Sequence, residues 1–439
     1  MNISFIGLGK LGLCSAAAFA SKGHKVIGVD ANSAVLSALQ ARQCPIEETG
    51  LEALLAQAWN SFSCTMSYDE AVAQSDISMI IVPTPSMADG AFSNAYVEKV
   101  LEQIAPALRA KEDFHIVDIV STVMPGTCES LFIPVLERLT GKKCGRDFGL
   151  VYNPEFIALG SVIRNFLNPD MVLIGASDAR SGETVQQAYV STVDSKPVYA
   201  VMNLINAEIA KLSLNCFVTM KISFANELAA LCEKMPGADV DVVNDAIGAD
   251  SRVGRKYLTG GLGFGGPCFP RDNEALQRAG KLCGYEMRLS PEVVAVNKAV
   301  PRRIFDAIRA RVELGRIVAL FGISYKQDTY IVEESQSVML AELLLAEGYG
   351  VRLYDPQALA TVQKELLGPK VACYADPYEA AQGAAALALL TNWPQFSRYD
   401  WQKLEAGLLP GALVVDSWRI LRNVGFTRIS YLPLGIGRM

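Results

Sequence analysis

Apolar and polar positions follow two rhythms along the chain. Short apolar runs of buried-strand type recur: Ile3-Ser4-Phe5-Ile6, Lys25-Val26-Ile27-Gly28-Val29, Ile77 to Val82, His115 to Val120, and Leu150-Val151-Tyr152. Segments with helical spacing lie between them, the first an alanine-rich stretch from about Leu13 to Lys22. Strands alternating with helices predict a mainly parallel sheet covered by helices. From Asn203 to Lys234 the pattern becomes one long helix, apolar almost all round, spanning roughly 45–50 Å at 1.5 Å per residue. Such a helix needs cover from another domain or another subunit. Helical spacing over Asp239 to Gly248 and Asn273 to Gly284 extends a helical middle domain to about Val300. After Pro301-Arg302-Arg303 the strand pattern returns, at Arg316 to Phe321, before Tyr354-Asp355-Pro356, and over Ala386 to Leu390 and Ala412 to Val415. The expected domains are 1–202, 203–300 and 301–439.

The first strand feeds Gly7-Leu8-Gly9-Lys10-Leu11-Gly12, and the second ends in Asp30. A G-x-G-x-x-G that leaves a strand, opens a helix and precedes an acid at the end of the next strand reads as a dinucleotide site. The glycines admit a pyrophosphate to the helix N-terminus. Asp30 bonds ribose hydroxyls, which favours NAD, because a 2′-phosphate would be repelled. The predicted fold class is therefore α/β, with two Rossmann-like doubly wound domains joined by a long central helix and a helical middle domain. The third segment lacks the fingerprint and should bind something other than the dinucleotide.

Thr84, Ser121 and Thr122 fall at strand ends, where open α/β sheets bind ligands; a hydroxyl there also caps helices, and function is expected only for Thr122. Glu155, in the turn Asn153-Pro154-Glu155-Phe156, is a lone loop carboxylate whose role depends on what it folds against. Lys211 and Asn215 are one turn apart and share a helix face. A lysine on a buried helix is costly unless it meets an anion, so the pair reads as an oxyanion site. Between Gly260 and Gly266 lie five glycines, followed by Pro267-Cys268-Phe269-Pro270-Arg271-Asp272. A backbone-lined pocket presenting one thiol and one carboxylate suits a nucleophile with an acid/base partner. Lys326, at a strand end, is a candidate phosphate contact.

Composition narrows the partners. In 439 residues the net charge is −6, with acids and bases well mixed, which argues against nucleic acid or an anionic membrane. No apolar run reaches membrane-span length, and the start lacks a basic n-region, so no signal peptide is expected. Ten cysteines are scattered without a C-x-x-C pair and only two histidines occur. No metal site is expected, and reduced thiols point to the cytoplasm. With so little histidine, acid/base work falls to Asp, Glu, Lys or Cys.

In order, these motifs resemble the UDP-glucose/GDP-mannose dehydrogenase family of NAD-dependent nucleotide-sugar 6-dehydrogenases. The resemblance covers essentially the whole chain. It rests on Gly7 to Gly12, Ser121-Thr122-Val123-Met124-Pro125-Gly126-Thr127, Asn153-Pro154-Glu155-Phe156, Lys211 with Asn215, Asn226-Glu227, Gly237-Ala238-Asp239-Val240, and Gly265 to Asp272. It implies oxidation of a sugar C6 alcohol to a carboxylate by two NAD⁺, through a thiohemiacetal and a thioester on Cys268. Lys211 and Asn215 would hold each oxyanion; Asp272 and Glu155 would move protons, and Thr122 would hold the water. The resemblance places Gly7, Gly9, Leu11, Gly12, Asp30, Thr84, Ser121, Thr122 and Arg271 at the cofactor. It places Phe156, Ile157, Lys211, Asn215, Tyr257, Gly265, Tyr325 and Lys326 at the nucleotide sugar. Arg252 would reach a neighbour's substrate across a homodimer.

The chain departs from the family at Leu159, where a second Glu is usual, at Pro267, usually Ser, and at Arg271, usually Lys. Glu333 stands where an arginine is usual, and Trp418 displaces the late arginine to Arg419. UDP-glucose is the expected substrate, since Cys-Phe-Pro-Arg-Asp is similar to that branch. The alternatives are GDP-mannose or another UDP-hexose, a nucleotide-sugar-binding homologue in which Glu333 abolishes turnover, and a two-electron hydroxyacid-type dehydrogenase that needs no thiol.

Overall fold

The computed structural model describes residues 1–157, 160–365 and 371–437, in two compact units, Met1–Ser213 and Leu214–Met439. The first unit is built on eight strands: β1 (Asn2–Ile6), β2 (Lys25–Val29), β3 (Phe62–Thr65), β4 (Ile77–Ile80), β5 (His115–Ile119), β6 (Phe148–Tyr152), β7 (Met171–Ala176) and β8 (Val198–Met202). Their order is β3-β2-β1-β4-β5-β6-β7-β8, parallel except for the antiparallel β6–β7 pair. Strands covered on both faces must be apolar on both. Accordingly, Ile3 and Phe5 pack with Leu13, Phe19, Val26 and Tyr189 on one face, and Ile6, Val29, Ile80, Ile119 and Tyr152 on the other. Because β1 lies between β2 and β4, the strand order reverses beside the Gly7–Gly12 turn, which is where such sheets open a ligand crevice. The helix expected from Leu13 begins earlier, at Lys10, and runs to Ser21.

The second unit holds β9 (Ile317–Phe321), β10 (Gly350–Tyr354), β11 (Val371–Cys373), β12 (Ala386–Leu389), β13 (Leu413–Asp416) and β14 (Ser430–Pro433), in the order β11-β10-β9-β12-β13-β14. Its turn after β9 repeats the one after β1: Gly322 N–H donates to Tyr354 O at 2.8 Å, as Gly7 N–H donates to Val29 O at 2.8 Å. Here, however, no helix follows until Gln336–Glu347. The acid after β10, Asp355, is 2% exposed. It accepts from the Ile323 and Ser324 N–H groups and the Ser324 hydroxyl on one oxygen, and from the Gln357 and Ala358 N–H groups on the other.

The long helix expected over Asn203–Lys234 runs from Leu204 to Cys232 and continues from the first unit into the second. The domain boundary expected between 300 and 301 falls inside another helix, Leu289–Arg309, which carries Pro301 in its interior. Proline there leaves the carbonyl of Asn297 without its helical donor. The Gln336 side chain supplies one instead, at 2.7 Å, and so the helix continues through a residue that usually ends one.

Candidate active site

The first unit contributes a cradle and a buried carboxyl. The helix Lys10–Ser21 starts at N-cap Gly9 with no side-chain cap, which leaves its positive end to an anion. A Cβ at Gly12 would lie 1.9 Å from Gly7 O, whereas one at Gly9 would meet nothing within 4 Å. The helix therefore packs tightly on the turn while the space over Gly9 stays open. Asp30 accepts one N–H on each carboxylate oxygen, from Leu8 and from Asn32, both at 2.7 Å, and it keeps acceptor capacity for a diol. Pyrophosphate and ribose fit this arrangement. Leu11 packs against the core beneath it.

Ser121 is a tie between strand ends, accepting from Val82 N–H at 2.9 Å and donating to Val82 O at 2.7 Å. Thr84 donates to the carbonyl of Thr122 at 2.7 Å, which fixes the backbone that carries the half-buried Thr122 side chain.

Glu155 is not a solvated loop carboxylate. Tyr189, on the helix Ala179–Val190, donates its hydroxyl to Glu155 Oε1 at 2.8 Å. The Lys211 ammonium donates to Glu155 O at 2.6 Å and stands 4.3 Å from the centroid of the Phe156 ring. Burial pushes the Glu155 carboxyl up to about 7, although the Tyr189 hydrogen bond and the Lys211 charge both pull it down. A carboxyl poised there exchanges protons readily near neutrality. A cavity of ≈ 10 Å³ adjoins it, lined in part by Asn153, Glu155, Phe156, Phe166 and Tyr189; that is room for about one water. Ile157 is partly buried against the same core.

Behind this group, Asp118 on β5 is 0% exposed, and neither of its oxygens has a hydrogen-bond partner among the described residues. Burial, with the Glu155 charge adding to it, raises its pKa well above the carboxylate range. The histidines take no part. Burial lowers His115 to about 3, and His24 bonds Ser191 at 3.0 Å.

The second unit carries a thiol of its own. The helix expected from Asn273 begins at Phe269, with Cys268 as its N-cap and Pro270 in its first turn. The exposed Cys268 thus sits at the positive end of a 14-residue helix, a setting that favours thiolate. Asp272 N–H donates to Cys268 O at 2.8 Å, one turn on. Its carboxylate is 1% exposed, accepts from Asn215 Nδ2 at 2.6 Å and lies 3.8 Å from the Arg271 guanidinium.

Side chains hold the glycine loop in place. Asn226 bonds Gly261 N–H and Leu262 O, Gln336 accepts from Gly263 N–H, and Asn297 bonds both Phe264 N–H and O. Gly266, at φ +80°, lets the Tyr325 ring come within 2.5 Å of where a Cβ would stand. Burial and the Cys268 charge raise the Tyr325 phenol. Gly265 passes equally close to Glu334 O, Lys326 reaches over the Tyr325 ring, and Tyr257 (φ +63°) is exposed. Arg252 is 87% exposed and paired with Asp250. Leu159 lies outside the described residues. Glu333 is exposed, and its backbone carbonyl accepts from Gly266 N–H at 3.0 Å.

Two contributors were missed in the sequence. Tyr189 gave no signal, being one apolar position of a helix. Asp118 did give one, a charge inside an otherwise apolar strand.

Family comparisons bear on all three segments of the chain. Profiles of the UDP-glucose/GDP-mannose dehydrogenase family match residues 1–193 as the NAD binding domain, 205–299 as the central domain and 319–423 as the UDP binding domain. The chain belongs to the UDP-glucose/GDP-mannose dehydrogenase family. It is an NAD-dependent oxidoreductase of the nucleotide-sugar 6-dehydrogenase class, which sets aside the hydroxyacid alternative. It is 34% identical to a UDP-glucose 6-dehydrogenase of Haloferax volcanii, over 96% of this chain and 97% of that one. A GDP-mannose 6-dehydrogenase of Pseudomonas aeruginosa is 35% identical over 81% of each. A solved UDP-glucose dehydrogenase from Pyrobaculum islandicum superposes with a TM-score of 0.87 at 35% identity, covering 98% of this chain and 96% of that one.

The family frame gives the displaced arginine a physical account. Arg419 (φ +59°) is buried, pairs with both oxygens of Asp241 at 2.8 Å and donates to the carbonyls of Gly260 and Leu434. It pins the glycine loop from outside. Trp418 donates to Leu390 O at 2.8 Å and lays its ring 2.9 Å from where a Gly261 Cβ would be.

Proposed function

We propose that this enzyme oxidises the C6 alcohol of UDP-glucose to the carboxylate of UDP-glucuronate, with Cys268 carrying the sugar between the two oxidations. The single observation that carries the reading is a thiol at a helix N-terminus, one turn from a buried aspartate that Asn215 holds by a 2.6 Å hydrogen bond. The balance is one alcohol, one water and two NAD⁺ giving one carboxylate, two NADH and three protons. NAD⁺, when bound, accepts the hydride equivalent of each oxidation.

The protein's own groups do the rest. The Cys268 thiolate adds to the aldehyde carbon, forming a C–S bond while the carbonyl electron pair moves to oxygen. Lys211 and Asn215, one turn apart on the long helix, are assigned to that oxyanion; removing such a donor typically costs about 10²–10³ in rate. The second oxidation leaves a thioester. Water held by Thr122 then attacks, Asp272 and Glu155 take its protons, and the C–S bond breaks to restore the thiolate. Arg271 is assigned to the cofactor side, and Phe156, Ile157, Tyr257, Gly265, Tyr325 and Lys326 to the nucleotide sugar.

The substrate assignment draws support from the names of the relatives and from the Cys-Phe-Pro-Arg-Asp sequence. A homodimer is supported by the exposed apolar side chains of Leu214, Phe217, Phe224 and Leu231 along the long helix, and Arg252 would serve the neighbouring copy. Free thiols at all ten cysteines agree with a cytoplasmic enzyme making a uronic acid for polysaccharide synthesis.

The test is NADH formed per sugar across UDP-glucose, other UDP-hexoses and GDP-mannose, with mass spectrometry of the Cys268 peptide. Two NADH per UDP-glucose and a Cys268-linked sugar are expected. Two NADH only with GDP-mannose would transfer the reading to that sugar, and binding without NADH would leave a non-catalytic homologue. Full turnover by Cys268→Ser would overturn the covalent route.

A further inference from the structure

Glu48 is a carboxylate that the mechanism does not use, yet its side chain is 1% exposed. Each of its oxygens meets a different part of the first unit. Oε2 lies 3.1 Å from the ammonium of Lys10, the first residue of the helix that opens on the glycine turn. Oε1 accepts from Val162 N–H at 3.1 Å, the first residue of the short helix Val162–Leu167. That helix sends Phe166 against Phe19 of the glycine-turn helix and against Tyr189, with ring centroids 5.7 and 5.8 Å apart. Tyr189 in turn holds Glu155 at 2.8 Å. A continuous line of contacts therefore runs from the cofactor turn to the acid/base carboxyl, with Glu48 as its polar link.

A buried carboxylate is stable only while its charge is paired and its lone pairs are used. Lys10 supplies the charge and Val162 the hydrogen bond. An anion arriving at the uncapped helix N-terminus interacts with the Lys10 ammonium as well as with the backbone N–H groups, and so restrains the cation that holds Glu48. We propose that Glu48 is a positioning residue through which dinucleotide binding at the start of the helix Lys10–Ser21 steadies the Val162–Leu167 helix and, behind it, Glu155. The proposal rests on the NAD reading of that turn. It gives the enzyme a way to set its acid/base group only when oxidant is present.

The test needs no sugar. Amide hydrogen exchange of residues 162–167 is followed in the full-length wild type with and without NAD⁺, while NADH binding is measured in parallel by fluorescence. NAD⁺ should slow exchange at Val162 about tenfold, the scale of a strengthened hydrogen bond to a charged acceptor. The slowing should vanish in Lys10→Met and Glu48→Gln at saturating NADH or NAD⁺, and return in Lys10→Arg, which keeps the charge. No slowing in wild type that binds NADH, or slowing that survives in both variants, would overturn the role of Glu48. Failure of wild type to bind NADH would instead bring down the cofactor reading, and the inference with it.

Discussion

Replacing Tyr189 by phenylalanine removes one oxygen atom, the donor on Glu155 Oε1 at 2.8 Å, and keeps the ring that packs on Phe19 and Phe166. A hydrogen bond to a charged acceptor contributes about 1.5–3 kcal/mol. At 1.36 kcal/mol per pH unit, that is about one to two units. The hydroxyl favours the ionised carboxylate, so its loss must move the Glu155 pKa upward, from about 7 to about 8–9. If Glu155 acts as a base, the acid limb of kcat/KM follows it. At pH 7 roughly half of the wild-type carboxyl is ionised, against roughly 1–9% in the variant. The expected loss at pH 7 is therefore about five- to fiftyfold, recovered as pH rises beyond the shifted limb. The assay is kcat/KM against pH, with Glu155→Gln as the control that abolishes the limb. A limb that stays put or moves down, or an equal loss at every pH, would refute the reasoning. Stability has its own sign: the raised folded-state pKa contributes stability below the ordinary carboxylate range, and this is lost as pH rises through about 7.

Three further outcomes are expected. Gly12→Ala places a Cβ 1.9 Å from backbone Gly7 O, and forcing the turn open should weaken NADH binding about ten- to a hundredfold, by fluorescence titration. Asp118→Asn removes an acid whose folded-state pKa is raised, so wild type loses stability above the ordinary carboxylate range and the variant does not. The melting temperature of the variant should gain on wild type as pH rises above the ordinary carboxylate range; a gap that narrows as pH rises would contradict this. Phe217→Glu with Phe224→Glu puts charge on the exposed apolar side of the long helix, and sedimentation should show the proposed dimer shifting to monomer.

What could be read from the amino acids alone was whatever local spacing determines. The glycine turn, Asp30, the long helix and the central strands of both sheets are set by neighbours in sequence and appear where the pattern puts them, whereas β3, β7, β8, β11 and β14 were not read from it. Helix starts were harder. Cys268 was visible as a thiol between prolines, but its place as N-cap depends on Pro270 opening a helix, a cue that competes with the glycine run before it. Pro301 concealed the helix Leu289–Arg309 for a different reason: the donor that sustains it past the proline, Gln336, is supplied from a distant part of the chain. Glu155 shows the same limit. Its elevated pKa comes from burial against groups that only the fold assembles, and nothing near residue 155 in sequence announces Tyr189.

Asp355 has a consequence for how the catalyst must operate. In the first sheet the corresponding acid holds two backbone N–H groups and can still greet a sugar diol; in the second, five donors, three from the turn after β9 and two from its own, have closed the clasp. The duplicate cannot serve as a spare berth for oxidant. On the covalent route proposed for Cys268, both redox equivalents pass through one doorway in succession, and the spent coenzyme leaves midway while the sugar waits on its sulfur anchor.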